Sequence, residues 1–165
     1  MSDLISTPPS PASPADSQVV ADGWFPPIKC NDVRDALRLG EGVVPHVRLV
    51  AAIKGAMLQA FRQLSDWRSA HADMGIAQLA DVPDDITLDG EPRAVELWNR
   101  IIRYYAGAEL ADGYRDLVAA DQQSQRNDEK RISADDYRRM AHHAVADLRS
   151  IGVDTPVQRN HAELI

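Results

Sequence analysis

Apolar residues recur at helical spacing in three long stretches of the chain and one short one. The longest stretch runs from Pro45 to about Met74. In it Leu49, Ile53, Met57, Ala60, Leu64 and Trp67 follow one another at intervals of three and four residues, one stripe on a helix. Its opposite face carries Arg48, Gln59, Arg62, Asp66 and Asp73, and Gly75 stands where a helix end favours glycine. This stripe reads as core rather than as a ligand groove. A second stripe, Ala94, Trp98, Ile101, Tyr105 and Ala108, widened by Val95, Ile102 and Tyr104, predicts a helix from about Glu91 to Arg115. Gly107 and Gly113 within it would admit a close neighbour, at a propensity cost of roughly 1 kcal/mol each against alanine. A third stripe is Tyr137, Met140, Ala141, Ala144, Leu148 and Ile151. It predicts a helix capped by Ser133, with Asp136 in its first turn and Gly152 at its end. The short helix is expected to start at Asn31 as N-cap, with Asp32 and Asp35 in the first turn, and to stop at Gly40. Pro45 then suits the first turn of the long helix.

The stretches between these patterns are connectors. Leu79 to Asp85 has the turn chemistry of Asp and Pro, and Asp89-Gly90-Glu91-Pro92 prepares a helix start. Ala119 to Arg131 is polar throughout and reads as a loop or a frayed helix end. No segment alternates with period two between hairpin turns, so no strand is expected. The predicted fold is all-α: a small antiparallel bundle of about four helices over residues 24–152, with a flexible arm at 1–23 and an extended tail at 153–165. The arm is rich in Ser, Pro, Ala and Asp and poor in bulky apolar groups, a composition that does not repay the entropy of ordering. It ends at Trp24-Phe25-Pro26-Pro27-Ile28, two large rings beside stiff prolines, an anchor either for the domain's own surface or for a neighbouring subunit.

Charge narrows the function classes. The formal net charge is −7, and each basic cluster has acidic neighbours, as in Arg126-Asn127-Asp128-Glu129-Lys130-Arg131. Sequence-specific DNA readers concentrate Lys and Arg on one face, so that class is disfavoured. The apolar fraction, 44%, is enough for a real core in a chain of 165 residues, one domain of ordinary size. A single cysteine, Cys30, rules out an intrachain disulfide and reads as a small, half-buried residue near a helix start. No stretch approaches the roughly 18 apolar residues of a membrane span. The first residues lack the basic start and apolar run of a secretory signal, so a soluble protein is expected.

The chemistry-bearing motifs are absent. There is no GxxxxGK[ST] phosphate loop, no GxGxxG after a strand, no GxSxG elbow and no HExxH pair. His142 and His143 are adjacent, about 100° apart around a helix, and so do not face one ion together. Asp84-Asp85 and Asp135-Asp136 stand where turns and helix starts ordinarily take acids. Glu109, beside the second apolar stripe, is expected to be partly buried and in a salt bridge, for example to Arg103, to Arg115 or to another helix. No enzyme, metal site or cofactor emerges.

Read in order, several short phrases are similar to the head completion proteins of peduovirus-type contractile-tailed phages, the GpL family. They are Trp24-Phe25-Pro26, Leu37-Arg38-Leu39, Leu64-Ser65-Asp66-Trp67-Arg68, Leu79-Ala80-Asp81-Val82-Pro83, Asp89-Gly90-Glu91, Ala111-Asp112-Gly113-Tyr114-Arg115-Asp116 and Glu163-Leu164-Ile165. Their order and spacing from about Trp24 to Ile165 carry the resemblance, since none is specific alone. It implies a structural virion protein at the head–tail neck, assembled in the bacterial host cytoplasm. Copies would form a homo-oligomeric ring under the portal after DNA packaging, retain the genome and present a surface to the tail terminator or neck protein. Packaged DNA would pass through without sequence-specific binding, and no membrane is involved.

Within that reading the tail is the expected portal contact, with Leu164 and Ile165 in apolar pockets and Arg159 and Glu163 fixing register. Trp24 and Phe25 form a second candidate, for contact between subunits. The rival is a small helical DNA-packaging or DNA-binding factor, such as a small terminase subunit. It would need a basic recognition helix, for which the last helical segment supplies Arg138, Arg139 and Arg149 among Asp135, Asp136 and Asp147. A host regulatory protein with a helical interaction domain is a third possibility.

Overall fold

A computed structural model describes residues 13–39, 44–118 and 132–152. Among these residues there are four α-helices: α1 (Cys30–Ala36), α2 (His46–Asp73), α3 (Arg93–Val118) and α4 (Ala134–Arg149). α2 and α3 run antiparallel, since Phe61 stacks on Trp98 near one end while Arg48 lies over Gly113 near the other. α3 and α4 are likewise antiparallel, with Asp112 meeting Arg138 and Tyr105 meeting His142. The three long helices therefore go up, down and up, with α1 at the side of α2.

The apolar stripes are the core. Leu49, Ile53, Met57, Ala60, Leu64 and Trp67 of α2 are buried, as are Ala94, Trp98, Ile101, Ile102, Tyr105 and Ala108 of α3. On α4, Ala141, Ala144 and Leu148 are buried, and Ile151 just beyond it joins them. Burying each large aliphatic or aromatic side chain contributes about 1.5–3 kcal/mol relative to leaving it exposed, which is what holds helices of middling propensity together.

Gly107 is where the small-residue expectation matters most. A β-carbon there would stand 3.1 Å from Leu37 Cδ2 and from two ring carbons of Tyr137, so the glycine lets both seat against the α3 backbone.

Local chemistry sets the helix ends. Ser133 caps α4, its hydroxyl accepting from the Asp136 N–H at 3.1 Å. α4 ends at Arg149 with Ser150 as C-cap, so Gly152 lies in the turn beyond and is not the residue after the last helical turn. α2 ends as expected, with Gly75 at φ +85 and the Ile76 N–H returning to the His71 carbonyl.

α1 corrects the sequence reading at both ends. Its N-cap is Lys29, with no side-chain bond, and Asn31 sits inside the first turn. The Asn31 side-chain N–H group is used elsewhere, reaching the carbonyls of Ser13, Pro14 and Ala15 at 3.1–3.4 Å. α1 also stops early: Arg38 takes a left-handed conformation, φ 52, and the Leu39 N–H returns to the Arg34 carbonyl at 2.9 Å. Arg38 thus takes the place usually held by glycine, and the expected stop, Gly40, lies outside the described residues.

Two short antiparallel strand pairs correct the expectation of no strands. β1 (Gln18–Val19) pairs with β2 (Ile28–Lys29), and β3 (Thr87–Leu88) pairs with β4 (Glu91–Pro92). The second pair turns through Asp89 and Gly90, both at positive φ (52° and 82°), the backbone of a two-residue hairpin. Residues 91–92 therefore belong to this hairpin, and α3 starts just after it. The polar stretch 119–131 lies outside the described residues.

The first pair bears on the arm. Of residues 1–23, those from 13 onward lie against the domain, with Val19 and Ser13 buried. Composition undervalues this segment because its order comes from backbone pairing to β2 and from side chains of α1 and α2, none of it local. Residues 1–12 and the tail, 153–165, lie outside the described residues.

Candidate functional site

The aromatic cluster predicted at the end of the arm is assembled inside the domain. Phe25 stacks on Trp98, with ring centroids 4.2 Å apart, and packs against Phe61 at 5.4 Å. Trp24 meets Phe25 and Trp67 edge-on, at 4.7 and 5.9 Å. Its indole N–H donates to the Ile76 carbonyl at 3.1 Å, and its own carbonyl accepts from the Leu79 N–H at 2.8 Å. Trp24 is 6% exposed and Phe25 2%. The rings pack within the domain, the first of the two options left open by the sequence.

Beside them Arg68 lies over Trp24 and Phe25, 5.6 and 5.8 Å from the ring centroids, and pairs with Asp22 at 2.6 Å. The other Asp22 oxygen accepts the Trp24 N–H at 3.1 Å. One carboxylate thereby fixes both the entry of the chain into the cluster and the cation that covers it.

One helical turn further along α2, the C-terminal turn is attached. Trp67 donates its indole N–H to the Ile151 carbonyl at 3.3 Å. His71 is buried, its Nδ1 lies 2.8 Å from the Trp67 carbonyl, and its ring is 4.3 Å from the Trp67 ring. A carbonyl only accepts, so Nδ1 carries a proton and donates it to the Trp67 carbonyl. Nε2 faces Gly152, where a β-carbon would stand 3.2 Å away. The expected portal-binding residues Arg159, Glu163, Leu164 and Ile165 lie outside the described residues. What the structure describes is the root from which their segment continues.

A second attachment, not found from the sequence, holds residues 13–15. Arg34 is buried and donates through Nε and Nη2 to the Ser13 hydroxyl oxygen, at 3.4 and 3.2 Å. His46 Nδ1 lies 3.0 Å from the same oxygen. Arg34 only donates, so the Ser13 oxygen accepts from it and its own hydrogen is available to His46. Pairing over such sequence distances leaves no local signal, and Asn31 read alone is a helix cap.

Several of the groups weighed for chemistry have structural partners. Asp84 accepts both Nε and Nη2 of Arg93 at 2.8 Å, tying the hairpin's base to the first turn of α3. Arg138 pairs with Asp112 and Asp135, and Arg139 with Asp136 at 2.7 Å. The Ser133 hydroxyl, followed by Arg139, holds the Asp136 carboxyl below its usual range. Tyr105 sets its hydroxyl 3.4 Å from His142 Nδ1, and burial pushes its phenol up to about 12. Burial also raises Tyr137, as does the neighbouring Tyr104. Among the described residues no three His, Cys, Asp or Glu side chains gather as a metal site would require.

Of the partners expected for Glu109, Arg103 faces Glu96 at 3.9 Å and the Arg115 side chain lies outside what is described. Although Glu109 as a whole is exposed, its carboxylate end is pressed onto the α2 backbone at Gly55, and that desolvation raises it above the usual carboxylate range. Among the described residues no helix is long and apolar enough to cross a membrane.

Comparison with known proteins addresses what this scaffold is. A family model described as phage head completion protein (GPL) matches residues 19–157. The head completion/stabilization protein of Escherichia phage P2 is 32% identical over 142 residues, covering 86% of this chain and 82% of that protein. No solved structure matches the chain at a significant level. The family match spans the strand pairs, the bundle and the aromatic cluster alike, and on it this chain belongs to the phage head completion protein (GPL) family.

Proposed function

We infer that this protein is a head–tail adaptor that assembles as a ring under the portal once DNA is packaged, retains the genome and provides the surface on which the tail attaches. Family membership supplies the coarser role, a structural protein that completes the phage head. The finer reading takes the tail, 153–165, as the portal contact. Leu164 and Ile165 would enter apolar pockets, Arg159 and Glu163 would set the register, and the tail side of the ring would meet the terminator or neck protein.

The observation that carries this reading is how the tail begins. Its root at Ile151 is tied to α2 by the Trp67 indole N–H on the Ile151 carbonyl, with His71 beside Gly152.

The rival DNA-binding reading needs free cations on the last helix. Two of its three arginines, Arg138 and Arg139, are instead paired with Asp112, Asp135 and Asp136, which favours a connector past which DNA slides without sticking. The test is sedimentation of the purified protein mixed with isolated portal. Comigration that saturates at a fixed ratio supports the adaptor. Failure to comigrate, together with a steeply salt-dependent affinity for duplex DNA, would favour the rival.

A further inference from the structure

We propose that Trp67 couples the two ends of the domain energetically, so that loosening the N-terminal segment loosens the root of the C-terminal tail, and the reverse. Both ends are fastened to one stretch of α2. Asp22, Trp24 and Phe25 are held on one side by Arg68 and by the edge of the Trp67 ring. The Ile151 carbonyl is held on the other by the Trp67 indole N–H, and His71, itself fixed to the Trp67 carbonyl, lies beside Gly152. A single rigid indole thus has a partner from each end of the chain.

Trp24, Trp67, His71 and Ile151 are all buried, so neither side can shift while the ring keeps its place. Residues sharing one partner in a packed site do not contribute independently, and any coupling between the two ends is reciprocal. An event at the tail root, including occupancy of the tail by a partner, is therefore felt at Asp22–Phe25. The coupling is a property of the isolated chain and does not depend on what the tail binds.

Native-state amide exchange on the full-length protein tests it with three reporters. The Leu79 N–H, bonded to the Trp24 carbonyl at 2.8 Å, reports the N-terminal side. The Ile151 N–H, bonded to the Leu148 carbonyl at 3.1 Å, reports the C-terminal side, and the Arg93 N–H, bonded to the Ile86 carbonyl at 3.0 Å, is the control. Asp22→Asn weakens the Arg68 pair. Gly152→Ala disturbs the other side, placing a methyl near His71 Nε2 in a turn where φ is +75. Asp22→Asn is expected to speed exchange at Ile151, and Gly152→Ala to speed it at Leu79, each about fivefold with Arg93 unchanged. Acceleration confined to the mutated side overturns the proposal. An equal acceleration at Arg93 also overturns it, since the change would then be global unfolding.

Discussion

The carboxylate of Glu109 on α3 occupies the space that a β-carbon on Gly55 of α2 would fill. Gly107 also faces a neighbour, but there the neighbours are the Tyr137 ring and Leu37 at 3.1 Å. The two glycines should therefore respond oppositely to alanine. At Gly55 the obstacle is the end of a flexible, solvent-exposed side chain, so Gly55→Ala should stabilise the protein by up to about 1 kcal/mol through helix propensity. At Gly107 the ring is wedged between helices, and overpacking of about 1–3 kcal/mol should outweigh the same gain. Urea unfolding of the two variants checks the pair of signs.

Glu109 itself gives a pH prediction. Its folded-state pKa is raised above the unfolded value by desolvation. Between those two values the folded state binds more protons than the unfolded one, so this group's contribution to stability falls as pH rises through the window. Glu109→Gln removes the penalty. The variant should be more stable than the parent at neutral pH, and the difference should close as pH drops below the usual carboxylate range. Thermal melts across that range would show it, and a difference that grows toward acid would contradict it.

The aromatic cluster should behave as core of the single chain. Phe25 is nearly fully buried between Trp98 and Phe61, so Phe25→Ala should cost about 3–5 kcal/mol. That loss should appear in unfolding at every protein concentration. A loss seen only at concentrations where copies associate would place the ring between subunits instead.

Ser13 is the acceptor that the structure gives to the buried Arg34 guanidinium. Removing its hydroxyl leaves those donors without it, which should cost about 1–3 kcal/mol. Limited proteolysis of Ser13→Ala should cut faster near residues 13–19, because the same contact fastens that segment to α1.

How much of this was legible in the sequence follows from what each element depends on. The stripes of α2, α3 and α4 are repeated local patterns, and most of their residues are core, with Tyr137 and Met140 at the start of α4 only half-buried. The Ser133 cap is equally local and was readable. Asn31 was misread because its amide satisfies distant carbonyls rather than the helix end it sits beside. Residues 13–23 were misread because their order is supplied by β2, Arg34 and Arg68, far along the chain, and not by their own composition. Asp89-Gly90 was a readable hairpin signal, overlooked because the strands beside it are two residues each. Of the candidate site, the Trp24-Phe25 cluster was visible as a pair of large rings, but nothing in its spacing named Trp98 and Phe61 as the side chains it packs against.

The central claim is that the tail joins this protein to a DNA-filled head. Its most direct test is co-sedimentation with filled heads, comparing the full-length protein with one lacking Ala162–Ile165. The full-length chain should pellet with heads, and the truncated chain, still folded, should stay in the supernatant. Equal binding by both would contradict the tail's role, and failure of the full-length protein to bind would contradict the adaptor reading itself.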